Sequence, residues 1–526
     1  MNTLARFSVA FITAAAIATP PDRIVVVIEE NHSFQQVIGN PDAPYINSLA
    51  SGGLLFTNFY AITHPSQPNY LQFFSGADQG ITSNALPVGT PFSTPNLASS
   101  LHAAGKTFIG YADGLPYVGS LDEAAYSYFR KHNPWVNWQS PTPGPHQILP
   151  DLNRPFTDFP TNFAALPTVS FVVPDLDHDM HDGTIAQADT WLQEHLSAYA
   201  TWASANNSIL IITWDEDESA SRNRIPTIIY GAGVRQGTND STWTLHNLLR
   251  WIQHAHNLTP SGAANDVAPI AGVRSTDPAT AFARFRQGDN GYTACTDTYI
   301  ESAAPDASHA TDSILVADGS PPTQHLLRFN NLFGQGAVPN NAIIHAATLR
   351  VLTGGFSSDQ SSDPMPIHRM LSDWSASSTW NSLGNGVQLD GSEAAAAPEN
   401  PTNTIQPRVT LTWVAFDVTN SIKAWHQGQP NFGWVLSPTG SDGWRTSSAN
   451  AAVASDRPVL DIVYSLPSCP ADFNHDGFVD GFDYDDYVSC FEGDVCPPGT
   501  GPDFNGDGFV DGFDYDDFVT AFESVC

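Results

Sequence analysis

The strand-forming runs of this chain are apolar without interruption, and that restricts its fold more than any other feature. "RIVVVI", "TVSFVVP", "SILIITW" and "IPTIIYG" are largely β-branched and do not alternate with polar residues. Strands of that kind are covered on both faces, which implies a mostly parallel sheet held between helices. Helix-period stretches such as "TIAQADTWLQEHLSAYATWA" and "STWTLHNLLRWIQHAHNL" accompany them. An α/β/α sandwich over residues 19–262 is the expectation.

At 526 residues the chain exceeds a single core, and its texture changes along its length. The opening "MNTLARFSVAFITAAAIA" reads as a secretory signal peptide over 1–18, so a secreted protein without a transmembrane anchor is expected. Residues 263–280 form a Pro/Gly-containing linker. Short strands with turn signals between them, among them "HLLRFNNL", "AATLRVLT" and "PVLDIVYS", predict an all-β sandwich over 281–466. Residues 467–526 repeat themselves, "DFNHDGFVDGFDYDDYVSCFE" from Asp472 returning as "DFNGDGFVDGFDYDDFVTAFE" from Asp503. Cys469, Cys490, Cys496 and Cys526 in that stretch suggest two disulfides of open pairing, with Cys295 left over. A net charge of −34 with only 20 Lys plus Arg argues against nucleic-acid binding.

Open α/β sheets bind ligands beyond the carboxyl ends of their strands. Three apolar strands deliver carboxylates to that edge. Glu29, Glu30 and Asn31 follow the first; Asp175, Asp177, His178, Asp179, His181 and Asp182 the second; Asp215 and Glu216 the third. Like charges at the end of a core strand are costly to bury unless a cation neutralises them. Oxygen and imidazole donors in this mixture suit Zn²⁺, Mn²⁺, Mg²⁺ or Ca²⁺. Ser66, in "THPSQPNYLQFFSG", precedes a helix-like stretch with Pro68 in its first turn. Taken alone it is an N-cap. A helix start also binds anions, and a hydroxyl beside a metal ionises readily and attacks phosphorus. Asn69 can donate to a phosphate oxygen as charge builds there.

"VVVIEENHSF", "THPSQPNYL", "KHNPW", "VPDLDHDMHDGTIAQADTWL" and "TWDEDES" resemble, in order over residues 22–262, the bacterial phosphoesterase family. That family includes acid phosphatases and phospholipases C of the alkaline-phosphatase-like superfamily. The resemblance implies Glu30 and Asn31 as metal ligands from the first strand, Asp215 and Glu216 as ligands from a later one, and Ser66 as nucleophile. Asn69 becomes a phosphate donor, and Asp179 and His181 complete a metal- or phosphate-contacting group. His64 and His132 both match histidines near the family's pocket, and either serves as general acid. His178 has no counterpart and reads as a surface residue. His246, in "TWTLHNLLR", is one position out of register with a histidine of related enzymes, which leaves one or two divalent ions.

The segment 281–466 resembles DNRLRE-type domains through "DTYI", "LLRFN", "STWN" and "RPVLDIVY", which implies a glycan-binding or surface role. Trp374, Trp380, Trp413, Trp425 and Trp434 are core packing or, less often, a sugar platform. In the tail, Asp472, Asn474, Asp476, Gly477, Phe478, Asp480 and Asp483 follow calcium-loop spacing, and Asp503, Asn505, Asp507, Gly508, Phe509, Asp511 and Asp514 repeat it. Two such loops, each followed by one helix, resemble a dockerin, which implies a small helical Ca²⁺-binding domain and a cohesin-like partner. Gly481-Phe482 and Gly512-Phe513 replace the polar partner-reading residues that dockerins carry. The function expected is a secreted, metal-dependent phosphoric ester hydrolase acting on small phosphomonoesters, because no lipid-facing apolar loop is evident. The rivals are a phospholipase C-type phosphodiesterase and a non-catalytic, calcium-stabilised surface or glycan-binding protein.

Overall fold

A computed structural model describes residues 20–219, 222–275, 277, 280–400, 405–466, 469–474, 479–497, 500–505 and 509–524. The segment read as a signal peptide, Asp476, Gly477, Phe478, Asp507 and Gly508 of the calcium loops, and Cys526 lie outside the described residues.

The apolar runs form one eight-stranded sheet. Its strands are β1 (Arg23–Glu29), β2 (Leu54–Tyr60), β3 (Phe108–Ala112), β4 (Asn153–Pro155), β5 (Val169–Val173), β6 (Ser208–Trp214), β7 (Thr227–Gly231) and β8 (Gly237–Thr244). They are ordered β8-β2-β7-β6-β1-β5-β3-β4. Neighbours run parallel except at β7, which is antiparallel to β2 and β6. Every residue of β5 and β6 is buried, as strands flanked on both faces must be. The flanking helices include α1 (Pro44–Gly52), α2 (Ser66–Ser75), α3 (Ile185–Ala205) and α4 (Leu245–Ala255). Ala43 cannot cap α1, so Asp189 of α3 accepts the N–H groups of Tyr45 and Ile46 instead. Gly76 ends α2 at φ 75°, and a Cβ there would sit 2.2 Å from the Ser261 carbonyl oxygen.

The second region is all-β. One sheet joins β9 (Ala281–Arg286), β13 (Ile343–Leu352), β15 (Trp413–Asp417) and β18 (Val459–Ser465) in the order β9-β18-β13-β15. The other joins β11 (Ile314–Gly319), β12 (Pro322–Phe329), β14 (Ile367–Arg369), β16 (Trp434–Leu436) and β17 (Trp444–Ser447) in the order β14-β16-β12-β11-β17, with β10 (Cys295–Glu301) paired to β12. Helix α5 (Thr419–His426) packs Ile422 and Trp425 into their shared core. Trp374, Trp425 and Trp434 are core residues, whereas Trp380 and Trp413 remain partly accessible.

The two regions meet through buried charge. Asp461 of β18 receives Arg284 in bidentate fashion at 2.8 and 3.0 Å, Arg350 at 3.4 Å and the Thr242 hydroxyl of β8. The Arg350 guanidinium lies over Tyr60 of the first sheet at 4.9 Å and over Trp413 at 5.2 Å. In the tail, α6 (Gly481–Phe491) and α7 (Gly512–Ser524) pack around Phe473, Tyr487 and Phe518. Cys490 and Cys496 form a disulfide, Cys469 is also disulfide-bonded, and Cys295 is a free thiol. Among the described residues no helix is long and apolar enough to cross a membrane.

Candidate active site

Strand register brings the carboxylates together. Ile28 and Glu29 of β1 stand opposite Thr213 and Trp214 of β6, so Glu30 and Asp215 emerge side by side. Backbone bonds fix the exit, Asp215 N–H donating to Glu29 O at 3.0 Å and Glu30 N–H to Asp179 O at 2.8 Å. All three expected strand ends thus converge. Asn31 takes a left-handed φ of 51° and donates its N–H to Asp215 Oδ1 at 3.3 Å.

Ser66 is the hub. It is the first residue of α2 rather than its N-cap, a place Pro65 takes. Its Oγ lies 3.1 Å from Glu30 Oε2 and 2.9 Å from Glu216 Oε1. One hydroxyl proton serves two carboxylates there. The helix start offers fewer anion-binding donors than its bare N-terminus suggests, since Gln67 N–H is bonded to Asn84 and Pro68 has none.

The two candidate acids differ in surroundings. His64 Nδ1 contacts Glu216 Oε2 at 2.6 Å and Nε2 contacts Asp217 Oδ1 at 3.4 Å, with its side chain 17% exposed. Burial pushes its pKa down, but Asp217 and Glu216 outweigh that and raise it to about 9. His132 is 2% exposed and wedged between Glu30 Oε1 at 2.8 Å and Asp179 Oδ2 at 3.2 Å. Those carboxylates overcome burial and raise it to about 9 as well. Burial pushes Glu30 up, but His132, with His181 and Lys131 behind it, holds it down at about 2. Asp215 moves the other way: burial, then Glu30 and Glu216, drive it well above the usual carboxylate range.

Among the described residues, two sets of donors at this strand edge can hold an ion, Glu30-Asp215-Glu216 and Glu30-His132-His181, with Glu30 common to both. His132, expected as an acid, therefore stands among the ligand-type groups. Asp179 is set back from them, orienting His132 and accepting His181 N–H at 2.8 Å. A divalent cation fits this chemistry on an internal observation: Asp215 Oδ2 is buried amid carboxylates with no hydrogen-bond partner.

Asn69 bonds to its own loop. Its Oδ1 accepts the N–H groups of Ile62 and Thr63, and its Nδ2 donates to Thr63 O at 2.7 Å, so the amide clamps the loop before Ser66. His246 lies away from these donor sets, its Nε2 buried and unpartnered. His178 joins Asp113 and Asp175 in a separate, more exposed group. Val88, Tyr117, Leu121 and Tyr126 are exposed.

Four residues escaped assignment. Glu29 is fully buried with both oxygens unpartnered, and burial raises its pKa well above the usual range. Asp217 braces His64. Lys131 Nζ donates to His181 Nε2 at 3.1 Å, which leaves Nδ1 to donate to Asp182. Tyr70 stacks on His132 with ring centroids 5.2 Å apart. Lys131 and Tyr70 lie inside motifs already quoted, and their proximity to the histidines was the available signal.

Residues 40–259 match the phosphoesterase family, and residues 289–464 match carbohydrate-binding module family 96. A phosphatidylinositol-3-phosphatase of Mycobacterium tuberculosis is 48% identical over 262 residues, 49% of this chain and 85% of that protein. An acid phosphatase of Aspergillus fumigatus is 30% identical over 239 residues, 43% of this chain and 52% of that one. A phosphate-repressible acid phosphatase of Penicillium chrysogenum is 29% identical over 241 residues, 43% and 56% of the two chains. The chain spans about half the length of these fungal relatives. A solved structure from Vibrio parahaemolyticus, described as a protein in the alkaline phosphatase superfamily, aligns at TM-score 0.36 and 14% identity over 51% of this chain and 74% of that one.

Proposed function

The chain belongs to the phosphoesterase family and is a phosphoric ester hydrolase, and from that premise we propose that it cleaves phosphomonoesters with Ser66 as nucleophile. The observation that carries the proposal is Ser66 Oγ set between Glu30 and Glu216, beside an Asp215 whose Oδ2 is buried without a hydrogen-bond partner. Glu30, Asn31, Asp215 and Glu216 would hold a divalent cation, and His132 and His181 would extend the site toward a second. A divalent ion bound there would ease ionisation of the neighbouring hydroxyl and offset phosphoryl charge.

Ser66 Oγ attacks phosphorus, forming an O–P bond as the bond to the alcohol oxygen breaks, and its proton passes to a carboxylate it already contacts. His64 donates a proton to the departing oxygen. It suits the task better than His132 because its side chain is 17% exposed, against 2% for His132. Water then attacks the phosphoseryl phosphorus, yields a proton to His64, and the serine leaves with its proton restored. Lys131 brings positive charge to the phosphate side of the site. Asn69 holds the Ile62–Thr63 turn so that Ser66 and His64 keep their places. The Ser66→Ala protein, with metal supplied, should lose about 10⁴-fold or more of its turnover of p-nitrophenyl phosphate. Substantial retained activity would sink the mechanism.

The relatives' phosphatase names support monoesters over the diesters of a phospholipase C, and the exposed Tyr117, Leu121 and Tyr126 support a lipid-borne monoester as a second reading. Glycan binding by residues 289–464, secretion, and a dockerin-like tail complete the proposal. For the tail, support comes from Asp483, which accepts the N–H groups of Asn474 and Asp480, and from Asp514, which does the same for Asn505 and Asp511. Each loop closes on its last carboxylate, as a calcium loop does. Calorimetric titration should find two calcium sites and Asp483→Ala should remove one; no uptake by the intact chain refutes the assignment.

A further inference from the structure

A cavity of about 420 Å³ lies between the α/β domain and the sandwich and borders the catalytic cluster at His64. Gln72 and His246 continue its wall on one side, and Gln360, Asn400 and Trp413 face them from the sandwich. Its volume falls in the range of small-molecule sites. The walls are fixed, because the Asp461 network and the stacking of Arg350 between Tyr60 and Trp413 tie the two domains together.

The charged groups lining the cavity are already engaged. Arg350 is paired with Asp461, Asp417 accepts the N–H groups of Ala268 and Thr419, Asp442 accepts from Ser362, and Arg408 turns back onto Gln406. The buried unpartnered polar atoms are Arg350 Nε, on a guanidinium whose charge Asp461 meets, and those of two neutral groups. Asn400 is 1% exposed, and its Nδ2 has no hydrogen-bond partner. The His246 Nε2 has none either, and burial pushes that imidazole down to about 4, so it is uncharged at neutral pH. Buried donors and acceptors of this kind are costly unless a ligand meets them. Gln72, Gln360 and Trp413 line the same space. Neutral amides and an imidazole match a hydroxyl-rich molecule. An acyl chain would leave the amides unpaired.

We propose that this cavity receives the alcohol portion of the phosphate ester, and that this alcohol is a neutral polyol, a sugar or cyclitol. The sandwich then supplies one wall of the active site. The inference rests on the Ser66 chemistry above: in-line attack puts the leaving oxygen on the side of its proton donor, and His64 touches both the cluster and the cavity.

The test uses the full-length, metal-loaded protein with glucose 6-phosphate, decyl phosphate and p-nitrophenyl phosphate. Glucose 6-phosphate should exceed decyl phosphate in kcat/KM by about tenfold or more. Gln72→Ala/Gln360→Ala should raise KM for glucose 6-phosphate about tenfold, as two lost hydrogen bonds would, and leave p-nitrophenyl phosphate within about twofold. A preference for decyl phosphate overturns the proposal, and so does a variant that lowers all substrates equally or changes none. Hydrolysis of p-nitrophenyl phosphate without any of glucose 6-phosphate removes the polyol and leaves the Ser66 mechanism standing. No hydrolysis of any of the three removes the mechanism itself, and this inference with it.

Discussion

Asp215 and Asp461 are the same residue type at the same burial, each 1% exposed, and the chain treats them oppositely. Around Asp461 stand Arg350, Arg284 and the Thr242 hydroxyl; burial pushes its carboxyl up, but the two guanidinium groups win and hold it below the usual range. Around Asp215 stand Glu30 and Glu216, and they add to burial instead of opposing it. A buried carboxylate matched within the chain ties elements together. One left unmatched is tolerated only when its counter-charge comes from outside. The domain interface is the first kind and the strand-end cluster the second.

Asp215→Asn gives the largest expected effect. It should cut metal-dependent turnover by more than about 10³-fold, and in chelator it should raise the melting temperature, since it removes a repelled, desolvated charge. Loss of both activity and metal-free stability would break the contrast. Asp461→Asn comes next and has the opposite signature. Removing the partner of the buried Arg350 and the half-buried Arg284 should cost about 3–5 kcal/mol in urea unfolding, and an unchanged midpoint would mean that the interface does not depend on charge.

The first kind of cluster was hidden in the sequence and the second was not. Asp215 and Glu216 follow a fully apolar strand, and like charges there conflict with burial, so a cation could be inferred before any geometry. Asp461, in "PVLDIVYS", reads as an interruption of one β-strand, and its partners Thr242, Arg284 and Arg350 lie far away in the chain. The parallel strands were legible from their apolar runs, but the reversed direction of β7 was not, because such a run reads the same either way. For Asn69 the residue was legible and the side-chain direction was not: an amide at a helix start serves a substrate or its own loop equally well on paper. The histidines could not be ranked for the same reason, until burial separated His64 from His132.

Asp297 sharpens the comparison as an intermediate case. It is 4% exposed, accepts the Ala449 N–H at 2.6 Å, and has no ion-pair partner among the described residues. Burial, only partly opposed by that hydrogen bond, raises it from 3.8 to about 6. The folded state therefore holds this proton more tightly than the unfolded chain. Its contribution to stability is complete below the unfolded value of 3.8 and is lost as pH rises through about 6. The loss reaches at most about 3 kcal/mol. Asp297→Asn should flatten that part of the stability profile, measured by urea unfolding at successive pH values. An unaltered slope assigns it to other carboxylates.

Arg222 sets the lower end of the scale. It pairs with Asp456 across the same interface that Asp461 holds, but the two side chains are 34% and 23% exposed. Water and salt screen a pair of that kind, so Arg222→Ala should cost less than about 1 kcal/mol, and the difference from the parent should vanish as ionic strength rises. The cost of Asp461→Asn should persist in the same salt series, because Asp461 is 1% exposed and the Arg350 guanidinium lies over Tyr60 and Trp413. If both losses faded together, burial would not be what separates a holding charge from an incidental one, and the contrast drawn with Asp215 would lose its basis.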